Sequence, residues 1–155
     1  MSAQFRLDDD DAVAIDYVAR VRQDFTALSA LYAESGRFAV DYNMGIQLYD
    51  AAGSVTGQIL RRAFWSCGLT LYLPPGELMQ ALDFPHHKVW QKMPTLTRGG
   101  QPMFVRGVHQ SNDSSVARPE TAALAPRPRL ERLLQSRFRI DLGQFESALA
   151  GHHAG

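Results

Sequence analysis

The sequence predicts an α+β fold: a long N-terminal helix packed on a mainly antiparallel sheet, followed by a short helical pair, a hairpin and C-terminal helices. Three observations carry that expectation. Apolar residues recur at spacings of three and four from Ala14 to Tyr32, the period drops to two after Gly36, and Pro74-Pro75-Gly76 closes the strand-rich stretch. A chain of 155 residues can bury roughly two thirds of its unfolded surface, so one domain with one core is expected.

Taken in order, Ala14, Tyr17, Val18, Val21, Phe25, Leu28, Leu31 and Tyr32 share one helical face. Asp8 to Asp11 suit the positive end of that helix, with Asp10 or Asp11 as its cap, and Ser35-Gly36 ends it. Phe38, Val40 and Tyr42 then alternate with Ala39, Asp41 and Asn43 as a strand. Ile46 to Asp50 and Val55 to Leu60 read as a hairpin turning near Gly53. The run from Ala63 to Leu73 is a central strand, bulged near Gly68. Short helices are predicted over Glu77 to Asp83 and His86 to Met93, and a hairpin over Thr95 to Arg98 and Met103 to His109. Residues 110–129, rich in Ser, Asn, Ala and Pro, read as a flexible linker. Beyond it, Leu130, Leu133, Leu134 and Phe138 mark a basic amphipathic helix, and Asp141 caps a last one. The organisation expected is therefore a globular unit over 1–109, a linker over 110–129 and a basic helical tail over 130–155.

A formal net charge of zero hides an asymmetry. Residues 1–60 hold nine acids against Arg6, Arg20, Arg22 and Arg37, and the excess of arginine falls late, from Arg118 to Arg139. That split permits an anionic partner for the second half and disfavours binding of a polyanion by the whole surface. Arginine outnumbers lysine 14 to two, which points to a GC-rich, bacterial coding source. No apolar run reaches the roughly 18 residues of a membrane helix, and aspartates stand where a secretory signal would place its apolar core. A cytoplasmic protein without membrane contact is expected.

Candidate chemistry is sparse. Cys67 is the only cysteine, which excludes an internal disulfide and a multi-cysteine metal site, and its apolar neighbours make it a small buried hydrophobe. Only His86 or His109 brought close would make it a nucleophile. His86 and His87 are adjacent, so on a helix they diverge by about 100 degrees and do not chelate one ion. No nucleophile elbow, phosphate loop or dinucleotide fingerprint is present. No catalytic residue, metal or cofactor is expected, and the protein is read as not an enzyme.

Residues 78–93, LMQALDFPHHKVWQKM, carry the one specific pattern. Leu78, Met79 and Leu82 would pack a first helix, Phe84 would seal a turn, and Val89 and Met93 would anchor a second. His86, His87, Lys88, Gln91 and Lys92 would then share the exposed face, which holds both lysines of the chain. This stretch resembles the helix-turn-helix signature. The following hairpin, with Arg98, Gly99, Gly100, Pro102 and Arg106, is similar to the wing of excisionase-like DNA-binding proteins. Asp83 stands where that pattern places Gly, and Met79 where it places Ala. The resemblance implies a small regulator of transcription that reads double-stranded DNA. His86, His87, Lys88, Gln91 and Lys92 would face the groove, and Arg98 and Arg106 the backbone. The alternative is a non-catalytic protein-binding module, such as an inhibitor, immunity protein or assembly subunit. The acidic first helix of one copy could also meet the basic tail of another in a homodimer.

Overall fold

Two four-stranded sheets share one continuous pair of chain segments. The computed structural model describes residues 1–51, 54–108 and 123–153. The first sheet holds β1 (Ser2–Phe5), β6 (Leu69–Leu73), β3 (Phe38–Tyr42) and β7 (Thr95–Arg98), in that order. The second holds β2 (Asp11–Val13), β8 (Phe104–Val108), β4 (Met44–Ala51) and β5 (Ser54–Arg61). β3 runs through Asn43 into β4, and β7 runs into β8 beside it, so both segments pass from one sheet to the other. The pairs β3/β7 and β4/β8 are parallel, and the remaining pairs are antiparallel. Tyr42 faces Arg98 and Gly45 faces Phe104, so the second segment carries the extra residues at the crossing. Gly100, at φ 119°, lets it loop out.

All five residues of β3 and of β6 are buried, as inner strands covered on both faces require. The helix α1 (Tyr17–Ala27) lies on this sheet, with the Tyr17 hydroxyl 2.9 Å from Thr70 Oγ1 and the Tyr72 hydroxyl donating to the Val21 carbonyl. Phe38 and Tyr72 stack beneath at 4.3 Å between centroids. The C-terminal elements α3 (Arg127–Leu133), a wide turn over Leu134–Phe138, and α4 (Leu142–His153) join the same core through Leu130, Leu134, Phe138 and Leu142. Arg137 holds this part to the start of α1 by two bonds to the Asp16 carboxylate, at 2.7 and 3.1 Å.

The architecture corrects several expectations. There is no long N-terminal helix: Asp11–Val13 is a strand paired with β8, and α1 ends at Ala27, with the non-helical Leu28 between it and α2 (Ser29–Ser35). Near that break the Thr26 hydroxyl donates back to the Arg22 carbonyl, a bond that bends helices. The break turns Tyr32 edge-on to Phe25 and Phe38. Instead of one mainly antiparallel sheet there are two mixed ones.

The predicted helix Glu77 to Asp83 is a chain of turns. The Glu77 carboxylate accepts the N–H groups of Leu78 and Met79, and the Asp83 carboxylate accepts that of Gln80, so side chains satisfy the backbone without a helix. Leu78 and Leu82 are exposed, which removes the inward apolar face of a helix-turn-helix. The second predicted helix is a 3-10 turn, His86–Gln91. The predicted wing is no hairpin either, because β7 and β8 lie in different sheets.

The hairpin β4/β5 pairs from Met44↔Arg61 to Ala51↔Ser54, while Ala52 and Gly53, where its turn was expected, lie outside the described residues. The same is true of 109–122, most of the expected linker.

Candidate functional site

Four consecutive aspartates repel one another, and a turn at the end of a sheet is where they can spread toward water. Asp8, Asp9 and Asp10 occupy such a turn between β1 and β2, closed by the Asp11 N–H donating to the Asp8 carbonyl at 3.2 Å. Two features pull its far side inward. The Gly107 N–H donates to the Asp10 carbonyl at 3.2 Å, and Asp11 pairs across the ladder with Arg106. A Cβ on Gly107 would stand 2.8 Å from the Asp10 carbonyl oxygen, so a residue without a side chain is what admits the turn. Asp11 Oδ1 is buried with no hydrogen-bond partner among the described residues. Burial, then the charge of Asp10, pushes the Asp11 carboxyl up to about 6; Arg106 pulls the other way and Asp8 adds to the rise. At the mouth of the turn, Arg6 Nε donates to Asp8 Oδ1 at 2.8 Å.

Arg106 lies over the ring of Trp65, 5.2 Å from its centroid, and Arg62 lies 5.5 Å away. Trp65 is placed there by Phe64, a non-glycine residue at φ 61° whose N–H donates to Asp41 Oδ1 at 2.9 Å. Asp41 is fully buried and also accepts from the Thr97 hydroxyl; burial raises its pKa. The next residues form a short 3-10 turn, Ser66–Gly68, with Cys67 inside it. Burial pushes the Cys67 thiol well above its ordinary range, so it is a protonated core residue rather than a nucleophile.

A cleft of about 360 Å³ opens beside this arrangement. Arg6, Ser66, Asp83 and His86 supply its polar lining, and Leu69, Phe84 and Pro85 part of its apolar lining. His86 is half-buried, and its ring meets that of His87 edge-on at 5.8 Å. Burial lowers its pKa below the ordinary 6.5, and the charges of His87, Arg106 and Arg6 lower it further. The imidazole is therefore neutral at pH 7 and able to accept a proton.

The residues singled out from sequence are scattered. His86 lies in the cleft, whereas His87, Lys88 and Gln91 stand exposed on the His86–Gln91 turn and Lys92 is exposed just after it. Arg98 is tied at 2.9 Å to Asp24 of α1, and Arg106 faces the acidic turn. The structure thus brings His86 and Arg106 within electrostatic reach of each other and leaves the rest apart. Sequence reasoning missed Asp8 to Asp11 as a site by treating them as a helix cap. The available signal was Asp16, which directly precedes Tyr17 and occupies the N-cap position, although its carboxylate is held by Arg137 instead of capping.

The class of molecule is a mixed α+β domain in which an acidic turn and a half-apolar cleft meet around two arginines. The family described as "Putative rhamnosyl transferase" matches residues 1–121, and the chain belongs to that family. No curated protein and no solved structure matches it. Membership overturns the helix-turn-helix and excisionase-like resemblance, the DNA-binding regulator of transcription, and the reading as a non-catalytic module, since a transferase family points to an enzyme. Among the described residues, no helix is long and apolar enough to cross a membrane, and no three His, Cys, Asp or Glu side chains enclose a metal position.

Proposed function

We propose that the chain performs glycosyl transfer, moving a rhamnosyl group from a phosphate-activated donor to an acceptor hydroxyl. The family match carries this reading, because it spans both the acidic turn and the cleft. Such a reaction breaks the bond between the sugar C1 and a phosphate oxygen and forms one between C1 and the acceptor oxygen. It needs charge control at the departing phosphate and a group that takes the acceptor's proton.

The acidic turn and its arginines supply the first. Arg6 and Arg106 are cations beside the carboxylates, placed to meet phosphate oxygens. Asp10 and Asp11 offer only oxygen donors, which suit a hard divalent cation that keeps one or two carboxylates and completes its shell with water and phosphate. The unpartnered, buried Oδ1 of Asp11 fits such an ion, although the described carboxylates form no closed cage. When bound, the cation would neutralise charge on the phosphate. A cytoplasmic location belongs to the same reading.

The test is incubation with thymidine diphosphate rhamnose and uridine diphosphate rhamnose, following nucleoside diphosphate release by chromatography with and without Mn²⁺. Release that needs the cation and is lost in Asp11→Asn is expected. Absence of release, together with no calorimetric binding of either nucleoside diphosphate, would overturn the reading.

A further inference from the structure

We infer that the cleft beside the acidic turn is the acceptor subsite, with room for a sugar ring, and that His86 is the base that takes the proton from the attacking hydroxyl. The inference rests on the glycosyl-transfer reading and assigns the second half of that reaction.

Size and lining carry the first part. The volume of about 360 Å³ gives room for a pyranose ring. Its walls are of two kinds: Phe84 and Pro85 offer an apolar surface, while Arg6, Ser66, Asp83 and His86 offer polar atoms. A pyranose ring has the matching division, with C–H groups on its face and hydroxyls at its edge. Asp83 already accepts the Gln80 N–H through Oδ2, which fixes the carboxylate and leaves Oδ1 for a sugar hydroxyl.

Position carries the second part. Arg6 lines the cleft and is bonded to Asp8, and Arg106 acts electrostatically on both Asp11 and His86. Arg6, shared between the cleft lining and the bond to Asp8, thus joins the cleft to the acidic turn, and an acceptor in the cleft would present its hydroxyl toward that side. The groups facing His86 are His87 on its own turn, Arg106 on β8, Arg6 after β1 and Asp83 across the cleft. Burial, together with the first three, keeps the ring neutral, the state a proton acceptor needs. In the step, the hydroxyl proton moves to a His86 ring nitrogen, the acceptor oxygen bonds to C1, and the C1–O bond electrons leave on the donor's phosphate.

The experiment compares the wild-type chain with His86→Gln, using methyl hexopyranosides as acceptor probes and the two nucleotide rhamnoses as donors. The side-chain amide of Gln keeps hydrogen bonding but accepts no proton at neutral pH. The variant is expected to melt like wild type and to bind nucleoside diphosphate equally. It should transfer at least about 100-fold more slowly and lose the acid limb of the wild-type pH profile. A second variant, Ser66→Ala, should raise KM for the hexoside and leave kcat and nucleotide binding unchanged. Transfer by His86→Gln at the wild-type rate with the same acid limb would overturn the inference while the glycosyl-transfer reading stands. A wild-type chain that neither binds nucleotide nor releases it would overturn both.

Discussion

Two arginine–aspartate pairs in this molecule have opposite fates. Asp24 is 3% exposed, yet both its oxygens are occupied: Oδ1 by Arg98 at 2.9 Å and Oδ2 by the Tyr42 hydroxyl at 2.7 Å. Asp11 also has an arginine opposite it, but Asp8 and Asp10 stand beside it and its buried Oδ1 has no described partner. The first pair joins α1 to the crossing of β3 and β7 and leaves neither Asp24 oxygen open. The second holds a charge that its surroundings resist. Buried charge that is fully partnered serves the fold, whereas buried charge left open marks a place where a ligand completes the set.

Removing a partner from the complete pair should have the largest effect. Asp24→Ala leaves the Tyr42 hydroxyl and the inner side of Arg98 without an acceptor, and a loss of about 3 kcal/mol is expected in urea unfolding. The Arg98 Nε is already buried without a bond, so the truncated site has no alternative acceptor at hand among the described residues. If Asp24→Ala unfolds at the wild-type urea concentration, the distinction between the two pairs fails.

The second test pushes the acidic turn off its support. Gly107→Ala would set a methyl group 2.8 Å from the Asp10 carbonyl oxygen and 3.2 Å from its Cβ, both on the turn itself. Relief requires the turn to move, at a cost of roughly 2 kcal/mol. Nucleotide binding should weaken as well, because Asp10 and Asp11 shift together. Unchanged melting and unchanged nucleotide affinity would show that β8 does not position the turn.

The same contrast explains what sequence reasoning could reach. The hairpin β4/β5 was legible because its pairing is local and two short strand-like runs flank a turn signal. Of the central strand expected over Ala63 to Leu73, only Leu69–Leu73 is strand, because the positive φ at Phe64 and the 3-10 turn Ser66–Gly68 break the run before it. The parallel pairs β3/β7 and β4/β8 join residues more than fifty positions apart, and no local pattern encodes that register. β2 has three residues, too few for a period to show. Residues 77–93 misled for another reason: apolar spacings of three and four over one short window also arise in turns whose backbone is satisfied by Glu77 and Asp83. His86 and Arg106 were selected for their charge and hydrogen-bonding capacity, and the structure keeps both near a cleft while removing the helix that was to present them.

The smallest effect concerns the open pair and has the opposite sign. In the folded chain Asp11 titrates at about 6 rather than 3.8, so between those values the native state binds more protons than the unfolded one. Stability should therefore fall as pH rises from about 4 to 6 and level off above, in buffer holding a chelator. Taken whole, the shift is worth about 3 kcal/mol, but Asp11 is only half-buried, and solvent screening reduces the expected change to about 1 kcal/mol. Asp11→Asn removes the charge and keeps the shape, so it should flatten that slope and make the chain more stable than wild type above pH 6, the reverse of Asp24→Ala. Added Mn²⁺ should raise the melting temperature of wild type and not of Asp11→Asn, because an ion that binds only the folded state stabilises it. A variant that loses stability at pH 7 would mean that Asp11 is already partnered, and the two aspartates would then play the same structural part.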